Sequence, residues 1–141
     1  LHRVYSRTGL GSYGGILAKG LTALPETWDA MMDGCQSLNH CMLGHVMEWY
    51  YGYVGGIRQP PDGIGWREIL IAPNPGPLAS AATLVRTPRG PVASRWRNDN
   101  GSFRLEVEVP HGVKATAILP SGARQKLHGG KQTLQEPLPG P

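Results

Sequence analysis

The chain has 141 residues, the size of one ordinary domain, with 40% apolar residues, 17% charged residues and a formal net charge of +4. Gly (20) and Pro (13) make up 33 of the 141 residues, about twice average usage, which excludes a coiled coil or a long helical bundle; the Gly spacing lacks the three-residue period of collagen. No apolar run approaches the roughly 18 residues of a membrane span, no basic segment followed by an apolar one opens the chain, and the 14 Lys and Arg form no block of five; neither a membrane nor a nucleic acid is expected as a partner.

The sequence opens on Leu1 in the middle of a pattern, as expected of a piece of a longer polypeptide. Tyr13 to Gly20 predicts the last turns of a helix, ending where Gly20 accepts a left-handed conformation. Pro25 disfavours helix at Leu24 and has no N–H, so Glu26 is expected on a loop or at a helix start. Ser37 is a suitable N-cap for the strongest predicted helix, which runs to Val54 and stops at Gly55-Gly56. That segment is apolar nearly all round, as in a helix buried on every side. One short helix and a sandwich edge cannot bury it, so the helical half is expected to be incomplete and to expose apolar surface where neighbours are missing.

The Gly- and Pro-rich stretch from Gly55 to Gly63 breaks helix and turns the chain. Beyond it the period is two. Trp66 to Pro73, Ala79 to Arg86, Val92 to Arg97, Ser102 to Val109 and Val113 to Pro120 are predicted strands, with weaker signals from Gln125 to Leu138. Asn98-Asp99-Asn100-Gly101 predicts a hairpin turn. Phe103, Leu105, Val107 and Val109 alternate with Arg104, Glu106 and Glu108, so one strand face is buried and the other wet. Short strands separated by regular turns predict an antiparallel β-sandwich.

Four carboxylates lie in the helical half: Glu26, Asp29, Asp33 and Glu48. Glu26 follows Pro25 and precedes Trp28. A carboxylate beside an aromatic ring suits general acid or base work on sugars, whereas the plainer alternative is a first-turn glutamate facing a helix N-terminus. His40, in the first turn of the predicted helix, can donate to a ligand hydroxyl or serve as a core histidine. His45 and Glu48 do not form a zinc-binding helix pattern. Cys35 and Cys41 have no second ligand pair at zinc spacing and are expected to be buried thiols; no cofactor or metal is implied. Tyr50, Tyr51 and Tyr53 are expected to pack rather than to form a sugar platform.

Three stretches together resemble the C-terminal end of bacterial α-L-rhamnosidases of the inverting glycoside hydrolase class. They are Gly20-Leu21-Thr22-Ala23-Leu24-Pro25-Glu26-Thr27-Trp28; Ser37-Leu38-Asn39-His40 with Gly44 and Glu48-Trp49; and the run from Trp66 through Pro73, Thr87-Pro88-Arg89-Gly90 and Gly101 to Leu119-Pro120. The resemblance implies that residues 1–57 are the last part of an (α/α)6 toroid and that residues 64–141 are the β-sandwich that follows it. It implies that Glu26 is the general base, that His40 binds the rhamnose, and that Trp28 and Asn39 shape the pocket. The partners it implies are a rhamnose-containing glycan and the upstream remainder of the catalytic domain. That remainder would hold the general acid, so the chain alone is expected to be inactive. A reading of another class is a non-catalytic carbohydrate-binding or accessory β-sandwich behind a helical linker. Exposure of Trp66 and Trp96 discriminates the two, because a buried ring offers no stacking platform. A third reading, another toroidal glycosidase or a lyase acting on a different sugar, is decided only by a complete pocket.

Overall fold

The computed structural model describes residues 2–29, 37–99 and 101–138. The chain forms two compact units, Leu1–Met47 and Glu48–Pro141. In the first, helices α1 (His2–Ser6) and α2 (Tyr13–Ala18) are short. Ser12 caps α2, its Oγ accepting from Gly15 N at 3.0 Å. The C-terminus of α2 closes as a Schellman motif: Gly20 N–H donates to Leu17 O and Leu21 N–H to Ile16 O, with Gly20 at φ +73°. Gly20 therefore ends the helix as predicted, and it turns the chain into the segment carrying Glu26.

The helix expected from Ser37 to Val54 is not continuous. Residues 38–45 form bends and turns, α3 covers only Val46–Trp49, and Tyr50–Val54 is a π-helical turn. The physical reason lies in competing acceptors for the backbone donors. Met42 N–H donates to the His40 ring and Gly44 N–H to Cys41 O three residues back, so neither joins an α-helical ladder; Asn39 N–H and His40 N–H, which a helix starting at Ser37 would leave unpaired anyway, donate to Ser37 Oγ and Leu24 O. Nor is the segment buried on every side. Leu43, Val46 and Val54 are buried, whereas Leu38, Met42 and Met47 are exposed, as are Tyr50, Tyr51 and Tyr53, which do not serve as interior packing. The expected exposure of apolar surface is thus present. Cys41 is also exposed rather than a buried thiol. Cys35 and Asp33 lie outside the described residues.

In the second unit the described strands make two four-stranded sheets. One has the order β1 (Ile57–Arg58), β2 (Glu68–Ile71), β6 (Lys114–Ile118), β7 (Arg124–Leu127); the other has β3 (Ser80–Thr87), β4 (Gly90–Asp99), β5 (Ser102–Val109), β8 (Gly130–Pro137). The β4–β5 hairpin turns where predicted, with Asp99 opposite Ser102; Asn100 of that turn lies outside the described residues. Along β5, Phe103, Leu105, Val107 and Val109 are buried, while Arg104, Glu106 and Glu108 remain at least partly exposed. These residues meet Ile69, Ile71, Ala115 and Ala117 of the other sheet in one core. That shared core holds the two sheets together as a sandwich.

The sandwich is not wholly antiparallel. β2 and β6 run parallel, with Glu68 opposite Lys114 and Ile71 opposite Ala117. Parallel neighbours need a long crossover; here the chain passes through β3, β4 and β5 before returning. The unbroken apolar run Ile69-Leu70-Ile71 fits such an inner strand, which alternation alone does not reveal. The core approaches the chain closely at Gly55 and Gly56. A Cβ on Gly55 would overlap the Thr83 side chain; one on Gly56, at φ +75°, would overlap the Ala72–Pro73 peptide. Only glycine fits both positions.

The described chain is therefore mostly β, with few and short helices, and no closed helical toroid is present among the described residues. No described helix is long and apolar enough to cross a membrane.

Candidate active-site edge around Glu26

Two backbone hydrogen bonds lay the Glu26 segment beside the Ser37–His40 segment. Glu26 N–H donates to Ser37 O at 2.9 Å, and His40 N–H donates to Leu24 O at 2.7 Å. The paired positions are 24 and 26, so Pro25 falls between them, where its missing N–H breaks no bond. Pro25 is fully buried and anchors the loop. Glu26 is on a loop, one of the two positions expected for it.

Glu26 is half-buried and lines an open groove of about 570 Å³. Thr27, Trp28, Asp29, Leu10 and Met42 form the other described walls that matter here. Trp28 stands edge-on to Tyr13, ring centroids 5.0 Å apart at 80°. Tyr13 in turn stacks on Tyr5 at 5.1 Å and donates its hydroxyl to Leu43 O at 2.6 Å. The indole is thereby held by a chain of aromatic contacts rooted in α1 and α2. Asp29, also on the groove, titrates below its ordinary value of 3.8; the Thr27 hydroxyl and its own backbone N–H both hydrogen-bond the charged carboxylate, and Lys19 adds an attraction. It is a carboxylate held ionised, which is unsuited to donating a proton near neutral pH.

His40 is not in a helix. It sits half-buried on the paired segment, and its Nδ1 accepts from Met42 N at 3.0 Å. That bond fixes the neutral tautomer: Nδ1 is the acceptor, so Nε2 carries the hydrogen and is the donor. Asn39 is exposed, its backbone tied to Ser37 Oγ at 3.2 Å. The structure thus joins the two segments through their backbones. It places Glu26 and Trp28 on the groove, while His40 and Asn39 are on the neighbouring strand of chain and not among the groove's described walls. Tyr13, Asp29 and Met42 complete the surroundings of Glu26 and Trp28. Only the tertiary contact of Tyr13 with Trp28 brings out its role, and no local motif marks Met42.

The bacterial alpha-L-rhamnosidase 6 hairpin glycosidase domain matches residues 1–54, and the bacterial alpha-L-rhamnosidase C-terminal domain matches residues 56–134. An alpha-L-rhamnosidase of Streptomyces avermitilis is 33% identical over 128 residues, 85% of this chain and 12% of that protein. One from Formosa agariphila is 35% identical over 117 residues, 77% of this chain and 12% of that protein. Among solved structures, the native alfa-L-rhamnosidase of Aspergillus terreus superposes with a TM-score of 0.85 at 30% identity, covering 92% of this chain and 16% of that one. The S. avermitilis alpha-L-rhamnosidase complexed with L-rhamnose gives 0.84 at 26%, covering 96% of this chain and 16% of that one. The chain spans about one-eighth of the length of the two curated relatives.

Proposed function

The chain belongs to the bacterial α-L-rhamnosidase family, and on that premise we propose that it supplies one edge of the active site of an inverting glycoside hydrolase that releases α-L-rhamnose. In this reading residues 1–57 complete an (α/α)6 toroid whose other helices come from chain outside these residues, and residues 64–141 are the sandwich that follows it. Glu26 is the general base. It takes a proton from water as the water oxygen attacks the anomeric carbon. The bond from that carbon to the glycosidic oxygen breaks, and the leaving oxygen takes a proton from a carboxylic acid supplied by the rest of the protein. Inversion requires the two carboxyl groups about 6.5–9.5 Å apart, leaving room for the water. His40 donates Nε2–H to a sugar hydroxyl, and Trp28 and Asn39 shape the pocket.

The backbone pairing of the Glu26 and His40 segments is the observation that carries this reading, because it brings together two segments separated in sequence that the mechanism needs side by side. The chain alone lacks a partner acid and is inactive in this reading. The test is hydrolysis of a chromogenic α-L-rhamnoside by this chain and by the protein extended upstream, each with and without Glu26→Gln. Turnover is expected only in the extended protein, and Glu26→Gln should cut it about 10²–10⁴-fold with the fold intact. Undiminished turnover in Glu26→Gln sinks the assignment of the base. Full activity of the 141-residue chain sinks the shared site.

A further inference from the structure

The second unit carries a concavity of about 480 Å³ that the hydrolytic chemistry does not use. Three aromatic residues line it: Tyr51 and Tyr53 from the π-helical turn, and Trp66 from the loop before β2. Tyr51 and Tyr53 are 41% and 49% exposed, and Trp66 is half-buried against the core. Between them stand Glu48, Arg58 and Gln59.

Trp66 is held in an unusual backbone state. Among the described residues it is the one non-glycine with positive φ, at +58°. A bulky residue there is a genuine outlier, and such strain persists only where surrounding contacts enforce it. The enforcing contact is Trp66 N–H donating to Gln59 Oε1 at 2.8 Å. That bond also orients the amide, leaving the two Nε2 hydrogens of Gln59 as donors at the groove. Arg58 is fixed as well: Nη1 donates to Gly52 O at 2.7 Å, and the guanidinium lies 5.2 Å from the Tyr53 ring centroid.

We propose that this groove is a saccharide-binding subsite that takes one pyranose unit of a glycan. Aromatic faces suit the apolar C–H face of a pyranose. Fixed guanidinium and amide donors, with the Glu48 carboxylate as acceptor, suit its hydroxyls. Two arginines, Arg58 and Arg86, and one carboxylate, Glu48, line the groove, and Arg58 is already engaged with Gly52 and Tyr53. The Arg58 guanidinium and the Gln59 amide are held before any ligand arrives, which limits their ordering entropy on binding.

The test is a titration of the protein extended upstream, in which the Tyr51–Tyr53 segment has its neighbouring helices, with methyl α-L-rhamnoside, methyl β-D-galactoside and methyl β-D-glucoside, followed by NMR of labelled tryptophan indoles. At least one should shift the Trp66 indole N–H saturably, with a millimolar dissociation constant, as expected for about a dozen non-hydrogen atoms. The Trp96 indole, 2% exposed, should not move. Trp66→Gly, which accepts the left-handed backbone without strain, and Tyr53→Leu should each weaken binding at least tenfold, about 1.4 kcal/mol. Glu26→Gln should leave it unchanged, so this outcome is independent of the base assignment. No saturable shift with any of the three glycosides overturns the proposal. So does binding that survives both groove variants, or variants that alter only self-association, which would make the face a contact between copies.

Discussion

Trp96 gives the sharpest energetic expectation. On β4 it is 2% exposed, and its Nε1 donates to Val54 O at 2.7 Å. Val54 closes the π-helical turn, so this bond ties that turn to the sheet containing β4. Trp96→Phe keeps an aromatic ring but removes the donor. Leaving the buried Val54 carbonyl unpaired costs about 1–3 kcal/mol. The lost volume, about 40 Å³ at about 24 cal/mol per Å³, adds about 1 kcal/mol. The variant should therefore lose about 2–4 kcal/mol of unfolding free energy. Phe103→Leu, at the neighbouring ring 6.0 Å away, removes volume without orphaning a polar group and should cost only about 1 kcal/mol. Urea unfolding followed by far-UV circular dichroism reads both, without depending on the altered tryptophan. Equal costs for the two variants, or less than about 1 kcal/mol for Trp96→Phe, would refute the role given to the Val54 bond.

Gly56→Ala should cost at least about 1–2 kcal/mol from the left-handed backbone alone, before its overlap with the Ala72–Pro73 peptide, and an unchanged thermal midpoint would contradict the close approach seen there. Asp29 titrates below 3.8 in the folded chain, so its contribution to stability is complete above the unfolded carboxyl range and is lost as pH falls through the folded value. Thr27→Val should raise the Asp29 pKa toward 3.8 in an NMR titration, since the Thr27 hydroxyl is the largest cause of the shift; no movement would assign the shift elsewhere. In the upstream-extended protein, His40→Ala should raise KM for an α-L-rhamnoside more than it lowers kcat, and a pure kcat effect would place His40 at the proton transfer instead. The isolated chain, with exposed side chains such as Leu17, Met42 and Met47, should self-associate or be marginally stable, and a sharp monomeric sedimentation boundary with high thermal stability would count against that.

The sequence by itself determined the local elements whose causes are local. The alternation along Phe103–Val109, the hairpin ahead of Ser102, the glycine stop at Gly20 and the exclusion of Glu26 from a helix interior all follow from side-chain period, turn chemistry or a fixed proline φ. The motifs around Glu26 and His40, with the strand run behind them, were enough to point to the family. Tertiary structure decided what depends on partners distant in sequence. Ser37 and the apolar run after it read as one helix. The helix does not form from 38 to 45, because the His40 ring and Cys41 O take the backbone donors of Met42 and Gly44. The direction of β2 against β6 is equally invisible locally: side-chain period sets which face is buried, not which way a neighbour runs. The two tryptophans flagged as possible platforms also part company only in three dimensions. Trp96 faces the shared core and hydrogen-bonds Val54, whereas Trp66 is turned by a positive φ onto a groove with Tyr51 and Tyr53. A side chain's period says that it leaves the strand on one face, but only the packing of the other sheet decides whether that face meets protein or water.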